Sequence, residues 1–288
     1  MVTTTGRTIA VVGATGRQGG QVARHLLADG WRVRALSRTP TSRKAAELAE
    51  SGADVARADL EDPASLVSAF ADVVGVYAMQ PPGSGSIEAE VREGLNIARA
   101  AARVGVGHLV YGSAGPGGAE TGVDQWDAKL HVARGMNDLG LPLTVLRPMA
   151  FMELMADPSF YPQSSTWYTM PRLAGPDTRI PWLSVRDLGA LAAKAFAEPE
   201  RFIGKDLRLA ADVKSLAECR QAFREIRGTN PPRFPMPLFV FRRFVGDDIL
   251  TMWRWLRENP VDADTRLTYE VLPTASDVRA FLRASTRQ

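Results

Sequence analysis

Gly13, Gly16 and Gly19 stand three residues apart, between a β-branched run and a helical stretch. Each position suits glycine for its own reason. The first permits a tight turn, and the second keeps a side chain away from an approaching phosphate. The third lets helix and strand pack closely. N–H groups at the helix start then carry partial positive charge toward an anion. Ala14, Thr15, Arg17 and Gln18 fill the turn. The chemistry this spacing predicts is a cradle for the pyrophosphate of a dinucleotide. The competing reading, a tight turn without a ligand, leaves three helix-weakening residues with no purpose.

The next strand end selects the dinucleotide. NAD binders place an acid there to bond the ribose 2′-hydroxyl. Ser37 and Arg38 occupy that place, with Arg43 and Lys44 close behind and no acid before Glu47. A guanidinium suits a 2′-phosphate, and Arg17 can reach the same ribose. NADP(H) is therefore expected over NAD. The alternative is a set of solvated surface arginines.

These residues need a frame to hold them. Strands are expected at Thr8–Val12, Arg32–Ser37, Asp54–Ala58, Val73–Met79, His108–Ser113 and Leu143–Leu146. Helices are expected between them at 18–29, 42–51, from Asp62-Pro63, 87–104 and 125–139. The alternation implies an α/β, Rossmann-type doubly wound parallel sheet covered on both faces. Beyond Pro148 the pattern loosens. Residues 157–181 read as loop with one short strand. Ile180–Val185 and Asp206–Leu209 are expected to extend the same sheet, with a helix at 187–196 between them. Helices are further expected at 215–227, as one stripe at 241–256, and after a Thr274 cap. The expected division is 1–152 with 178–210 as the dinucleotide-binding domain. Residues 153–177 with 211–288 would form a smaller, mainly helical lobe.

The 288 residues are enough for one large core and a smaller lobe. A net charge of +3 is too small to argue for nucleic acid. Single Cys219 forms no internal disulfide and fits a reducing compartment. Met1 to Arg7 is short and polar, unlike a leader, and no apolar run is long enough to span a bilayer. The expectations are a cytoplasmic protein, no nucleic acid, no membrane and a small-molecule substrate. An oligomer or a protein partner stays open. His25, His108, His131 and Cys219 make no metal site at these spacings.

The run Val11–Leu27, the strand end Leu36-Ser37-Arg38 and the segment Gly52-Ala53-Asp54-Val55 to Ala58-Asp59-Leu60 resemble the NmrA-like family. So do Gly105 to Tyr111 and Leu146-Arg147-Pro148 with Phe151-Met152-Glu153. These are atypical short-chain dehydrogenases, related to isoflavone-reductase-like enzymes, quinone reductases and redox sensors. The resemblance implies that Ala14 to Gly19 cradle the pyrophosphate and Arg38 the 2′-phosphate. It implies that Asp59 and Leu60 contact adenine, while Met79, Gln80 and Pro81 line the path to the nicotinamide. Lys129 would lie by the nicotinamide ribose. Phe151, Met152, Glu153 and Leu154 would border the nicotinamide, although many relatives carry asparagine where this chain has Leu154.

Typical short-chain dehydrogenases use Tyr-x-x-x-Lys, in which tyrosine gives the proton and lysine holds the ribose. No tyrosine here has lysine four residues later, and counting back from Lys129 gives Gln125. Ser113 ends the fifth strand where a substrate-polarising serine would lie. Lys129 is the remaining candidate, as a ribose contact or as an acid–base group. Trp167, Tyr168, Trp182, Trp253 and Trp255 could wall a pocket, but core positions are the more ordinary use. Arg242, Arg243, Arg254 and Arg257 read as a solvated face.

Two functions remain. One is an NADPH-dependent reductase of a small apolar, conjugated acceptor such as a quinone. The other is a non-catalytic sensor that binds NADP(H) and acts through a protein partner.

Overall fold

The structure is a computed structural model and describes residues 6–80, 86–160, 165–261 and 263–285. The elements run in chain order as β1 (Thr8–Val11), α1 (Arg17–Ala28), β2 (Arg32–Ser37), α2 (Arg43–Glu50), β3 (Asp54–Arg57) and α3 (Pro63–Ala69). There follow β4 (Gly75–Ala78), α4 (Ile87–Val104), β5 (His108–Gly112), α5 (Asp124–Asp138), β6 (Leu143–Pro148) and β7 (Ala150–Phe151). Next come α6 (Met170–Ala174), β8 (Arg179–Leu183), α7 (Val185–Ala197), α8 (Pro199–Phe202), β9 (Asp206–Leu209) and β10 (Asp212–Ser215). The chain closes with α9 (Leu216–Arg227), α10 (Leu238–Val245), α11 (Asp247–Glu258), α12 (Thr265–Val271) and α13 (Val278–Ala284).

Contacts divide the chain into two units, one of 1–119, 125–147 and 188–207, the other of 120–124, 148–187 and 208–288. The first holds a seven-stranded sheet in the order β3-β2-β1-β4-β5-β6-β9. The pairs from β3 through β6 are parallel. Its central strands β1, β4, β5 and β6 are short, mostly apolar runs because helices cover them on both sides. Ala10, Val76, Leu109, Ile97, Ala101 and Val132 meet in one core cluster. The Rossmann-type expectation is borne out. Order reverses between β1 and β4, which places a crevice at their carboxyl ends.

The second unit contains a three-stranded sheet, β10-β8-β7, and helices α9 to α13. Here the sequence expectations need correction. The strand expected at Ile180–Val185 does not extend the large sheet. It is β8, antiparallel to β10 and parallel to β7. The edge of β6 is already taken, since Val145 N donates to Lys205 O and Gly204 N to Leu143 O. Only the strand at 206–209 joins that sheet.

The loop expected over 157–181 holds helical turns, over Ser165–Thr169 and α6. Buried Trp167 and Met170 explain them, and Trp167 Nε1 donates to Met155 O at 3.2 Å. The single helix expected over 241–256 is two, α10 and α11. Gly246 separates them with φ +80°, a backbone region that continues no helix. The last helix is capped by Asp277, whose carboxylate accepts from Ala280 N at 2.7 Å, and not by Thr274.

Candidate functional site

The glycine turn follows β1 directly. Gly13 has φ +68°, and a Cβ there would meet Met79 Sδ at 2.6 Å. A Cβ on Gly19 would fall on the Gly13 carbonyl, only 2.6 Å from its carbon. The turn therefore abuts both its own helix and the end of β4, at the switch point. Ser42, Asp62 and Ser86 cap α2, α3 and α4 with side-chain oxygens. Helix α1 has Gly16 at its N-cap, with no side-chain cap and no acid in its first turn. Its first N–H groups need an acceptor from outside the helix. Gln18 Oε1 is buried and without a partner among the described residues. These features fit a phosphate-bearing cofactor.

The neighbouring strand ends supply the rest. Arg38 follows β2, and Arg38 and Lys44 are exposed, with neither in an ion pair among the described residues. Arg43 is engaged with Glu47 at 2.9 Å. Arg17 is exposed at the first position of α1. Asp59 and Leu60 follow β3 and are half-buried. Asp59 N donates to Ser65 Oγ at 3.0 Å, and Asn96 Nδ2 donates to Leu60 O at 2.8 Å. Asn96 thus ties the loop to α4. Sequence reasoning missed it, although a buried Asn within an apolar helical stripe signals such a tie.

Met79 and Gln80 follow β4, while Pro81 lies outside the described residues. Gln80 is buried, and its Oε1 accepts from Tyr111 Oη at 2.8 Å. Its Nε2 has no partner among the described residues. Burial pushes the phenols of Tyr77 and Tyr111 well above their ordinary range, so both hold their protons tightly.

Lys129 on α5 forms an ion pair with Glu90 on α4, and side-chain exposure is 14% for the lysine and 8% for the glutamate. An ammonium has three donors, so two remain for other acceptors. Glu90 is a second residue that sequence reasoning missed, because a first-turn acid reads as solvated. Ser113, just after β5, is buried, and its Oγ accepts from Arg147 Nη1 at 3.0 Å. Arg147 is clamped to Asp206 at 2.6 and 2.9 Å. The serine hydroxyl also lies within hydrogen-bonding reach of the Tyr111 phenol.

The histidine on β5 is structural. Thr144 Oγ1 gives its proton to Phe202 O, so His108 Nε2 donates to Thr144 at 2.8 Å. Burial lowers its pKa to about 4. No group of three or more metal-ligating side chains occurs among the described residues.

In the second unit, Phe151 ends β7, and Met152, Glu153 and Leu154 lie in the 3₁₀ turn Met152–Met155. Glu153 Oε1 accepts from Val185 N at 2.9 Å, while its Oε2 is buried without a partner among the described residues. Burial pushes this carboxyl up to about 7, and Asp187 and Asp157 push the same way. Trp167, Trp182 and Trp253 are buried in the core. Tyr168 instead lines a groove of about 430 Å³ with Arg172, Leu173 and residues 235–238.

The model of the NmrA-like family matches residues 5–281. An oxidoreductase of Cladobotryum sp., "NmrA-like family domain-containing oxidoreductase FrzB", is 30% identical over 250 residues, covering 76% of this chain and 73% of its own. Among solved structures, triphenylmethane reductase of Citrobacter sp., complexed with NADP(H), superposes with TM-score 0.77. It is 20% identical, with 96% of this chain and 99% of that one covered. NmrA, described as a negative transcriptional regulator, gives TM-score 0.76 at 21% identity, covering 96% and 94%. The chain belongs to the NmrA-like family.

Proposed function

We propose that the chain binds NADP(H) and reduces a small apolar, conjugated acceptor of the quinone type. The observation that carries the reading is the glycine turn at the β1–β4 switch point, where a Cβ at Gly13 or Gly19 would strike Met79 or the turn itself. Ala14, Thr15, Gly16, Arg17 and Gln18 would hold the pyrophosphate with main-chain N–H groups. Arg38, aided by Arg17 and Lys44, would hold the 2′-phosphate. Asp59 and Leu60 would meet adenine, and Met79, Gln80 and Pro81 would line the approach to the nicotinamide. Lys129 would give its two remaining donors to the ribose. Ser113 would orient a carbonyl oxygen, and Phe151 to Leu154 would border the nicotinamide.

When bound, a reduced nicotinamide supplies a hydride. Hydride and one proton convert a quinone to a hydroquinone. With Tyr77 and Tyr111 buried and Gln125 in the tyrosine place, the proton would come from water rather than from a tyrosine. That chemistry suits conjugated acceptors better than simple ketones, whose alkoxide needs an acid at once. Oxidoreductase descriptions of relatives, and a reductase complexed with NADP(H) among structural neighbours, support the reading. Gln125 also favours a second one, a sensor that binds the dinucleotide and acts through a protein.

The test is loss of reduced-nicotinamide absorbance with a panel of quinones, enones and imines. Turnover of one conjugated acceptor with NADPH is expected. NADPH binding without turnover of any acceptor overturns the reductase and leaves the sensor.

A further inference from the structure

Four of the six large hydrophobic residues exposed among the described residues fall within eleven positions, Phe234, Leu238, Phe239 and Phe244. Phe234 is 63% exposed, Phe239 76% and Phe244 73%. Solvated surfaces do not gather phenyl rings in this way. Charge in the same stretch is one-sided. Residues 228–246 hold Arg233, Arg242 and Arg243 and no aspartate or glutamate. Arg242 is paired with Asp247 at the start of α11, which leaves Arg233 and Arg243 as the cations the surface offers.

The orientation is fixed from below. Phe241 is buried and stacks on Trp253 with ring centroids 5.7 Å apart, which anchors α10 on α11. At about 100° per residue, the face opposite carries Arg242, Phe239, Arg243 and Val240 in turn, and Leu238 and Phe244 flank Phe241 about 60° to either side. Apolar and cationic side chains are interleaved there. An arginine stem lies along apolar material while its head stays in water, so such a face suits a boundary between hydrocarbon and anionic headgroups.

We propose that α10 and the Phe234 segment before it dock this protein on an anionic lipid surface. Phe234, Phe239 and Phe244 would enter the headgroup region, and Arg233 and Arg243 would meet lipid phosphates and carboxylates. Charge complementarity selects this occupant. A second copy meeting the same face about a two-fold axis would bring arginines against arginines. The proposal revises the expectation of no membrane partner, which rested on the lack of an apolar span. No helix among the described residues is long and apolar enough to cross a bilayer, so the contact would be peripheral. It does not depend on the reductase reading.

The experiment is co-sedimentation of the full chain with vesicles of phosphatidylcholine, alone and with phosphatidylserine added. Binding only to the anionic vesicles, weakened by salt, is expected. Phe239→Ser with Phe244→Ser should abolish it. Arg233→Gln with Arg243→Gln should weaken it roughly 25-fold, at about fivefold for each charge near an anionic surface. These positions are exposed, and unchanged NADPH binding by each variant checks its fold. No binding to anionic vesicles overturns the proposal, as does equal binding to both vesicle types. Self-association that Phe239→Ser abolishes, with vesicles ignored, assigns the face to a second copy and also overturns it.

Discussion

The Glu90 carboxylate, from the first turn of α4, receives the ammonium of Lys129 from α5. Both side chains are largely shielded, so each is the other's main compensation for lost water. The pairing makes Lys129 a fixed donor with a set direction rather than a roaming surface cation. Glu90→Gln keeps the shape and removes the charge. Stability should fall by about 3 kcal/mol, the cost of leaving one buried charge unpaired. The double variant Glu90→Gln with Lys129→Met should recover most of that loss. Urea denaturation of the three proteins checks it. A Glu90→Gln stability within about 0.5 kcal/mol of the parent would sink the idea.

Gly19 presents a different kind of constraint. A methyl group there would sit against the Gly13 carbonyl, and backbone cannot swing aside as a side chain can. Gly19→Ala must push α1 away from the turn and spread the N–H groups proposed to hold the phosphates. NADPH binding should weaken at least tenfold, the loss of one charge-assisted hydrogen bond of about 1.5 kcal/mol or more. Circular dichroism should show the helices retained. Isothermal titration reads the affinity, and an unchanged value would remove Gly19 from the cradle.

The first unit was legible because its signals are local. The central strands β1, β4, β5 and β6 are short, mostly apolar runs between turn residues, and Ser42, Asp62 and Gly105 mark helix ends by their chemistry. The second unit was less legible because its elements depend on partners far along the chain. β8 pairs with β10 some thirty residues on, and its pattern does not say which sheet it joins. Trp167 sits in a helical turn because burial holds it there, against a run of Pro and Ser that reads as loop. Among site residues, glycine spacing was plain, whereas Glu90 and Asn96 were not. Their importance comes from what they touch, Lys129 and the Leu60 carbonyl; the Glu90 contact leaves no local pattern, and that of Asn96 leaves only one polar residue within an apolar helical stripe.

Arg38 tests the cofactor choice. It is exposed at the end of β2, where an acid would favour NAD. Arg38→Ala should weaken NADPH roughly 10- to 100-fold, the range for losing a hydrogen bond to a charged group. NADH should be nearly unaffected, because it lacks the 2′-phosphate. Parallel titrations with both nucleotides read the difference. Equal weakening would mean that Arg38 supports the fold or the pyrophosphate rather than the 2′-phosphate.

Glu153 makes stability depend on pH in a direction opposite to the usual carboxylate. Burial raises its folded pKa to about 7, above the 4.5 of an ordinary glutamate, with Asp187 and Asp157 adding to the effect. The folded state therefore holds its proton more tightly than the unfolded state. Its contribution is fully present below about pH 4.5 and is lost as pH rises through about 7. His108 works in the other sense over part of this range. Its folded pKa of about 4 lies below the ordinary 6.5, so its contribution is present above 6.5 and lost as pH falls toward 4. A comparison of variants separates the two. Glu153→Gln keeps an oxygen for Val185 N, removes the titration, and leaves His108 as it was. Relative to the parent, Glu153→Gln should gain about 3 kcal/mol between pH 5 and pH 8, from a shift worth about 1.4 kcal/mol per pKa unit. Urea denaturation at the two pH values measures that gain. A stability difference that stays constant with pH would show that Glu153 titrates normally, with Oε2 open to water.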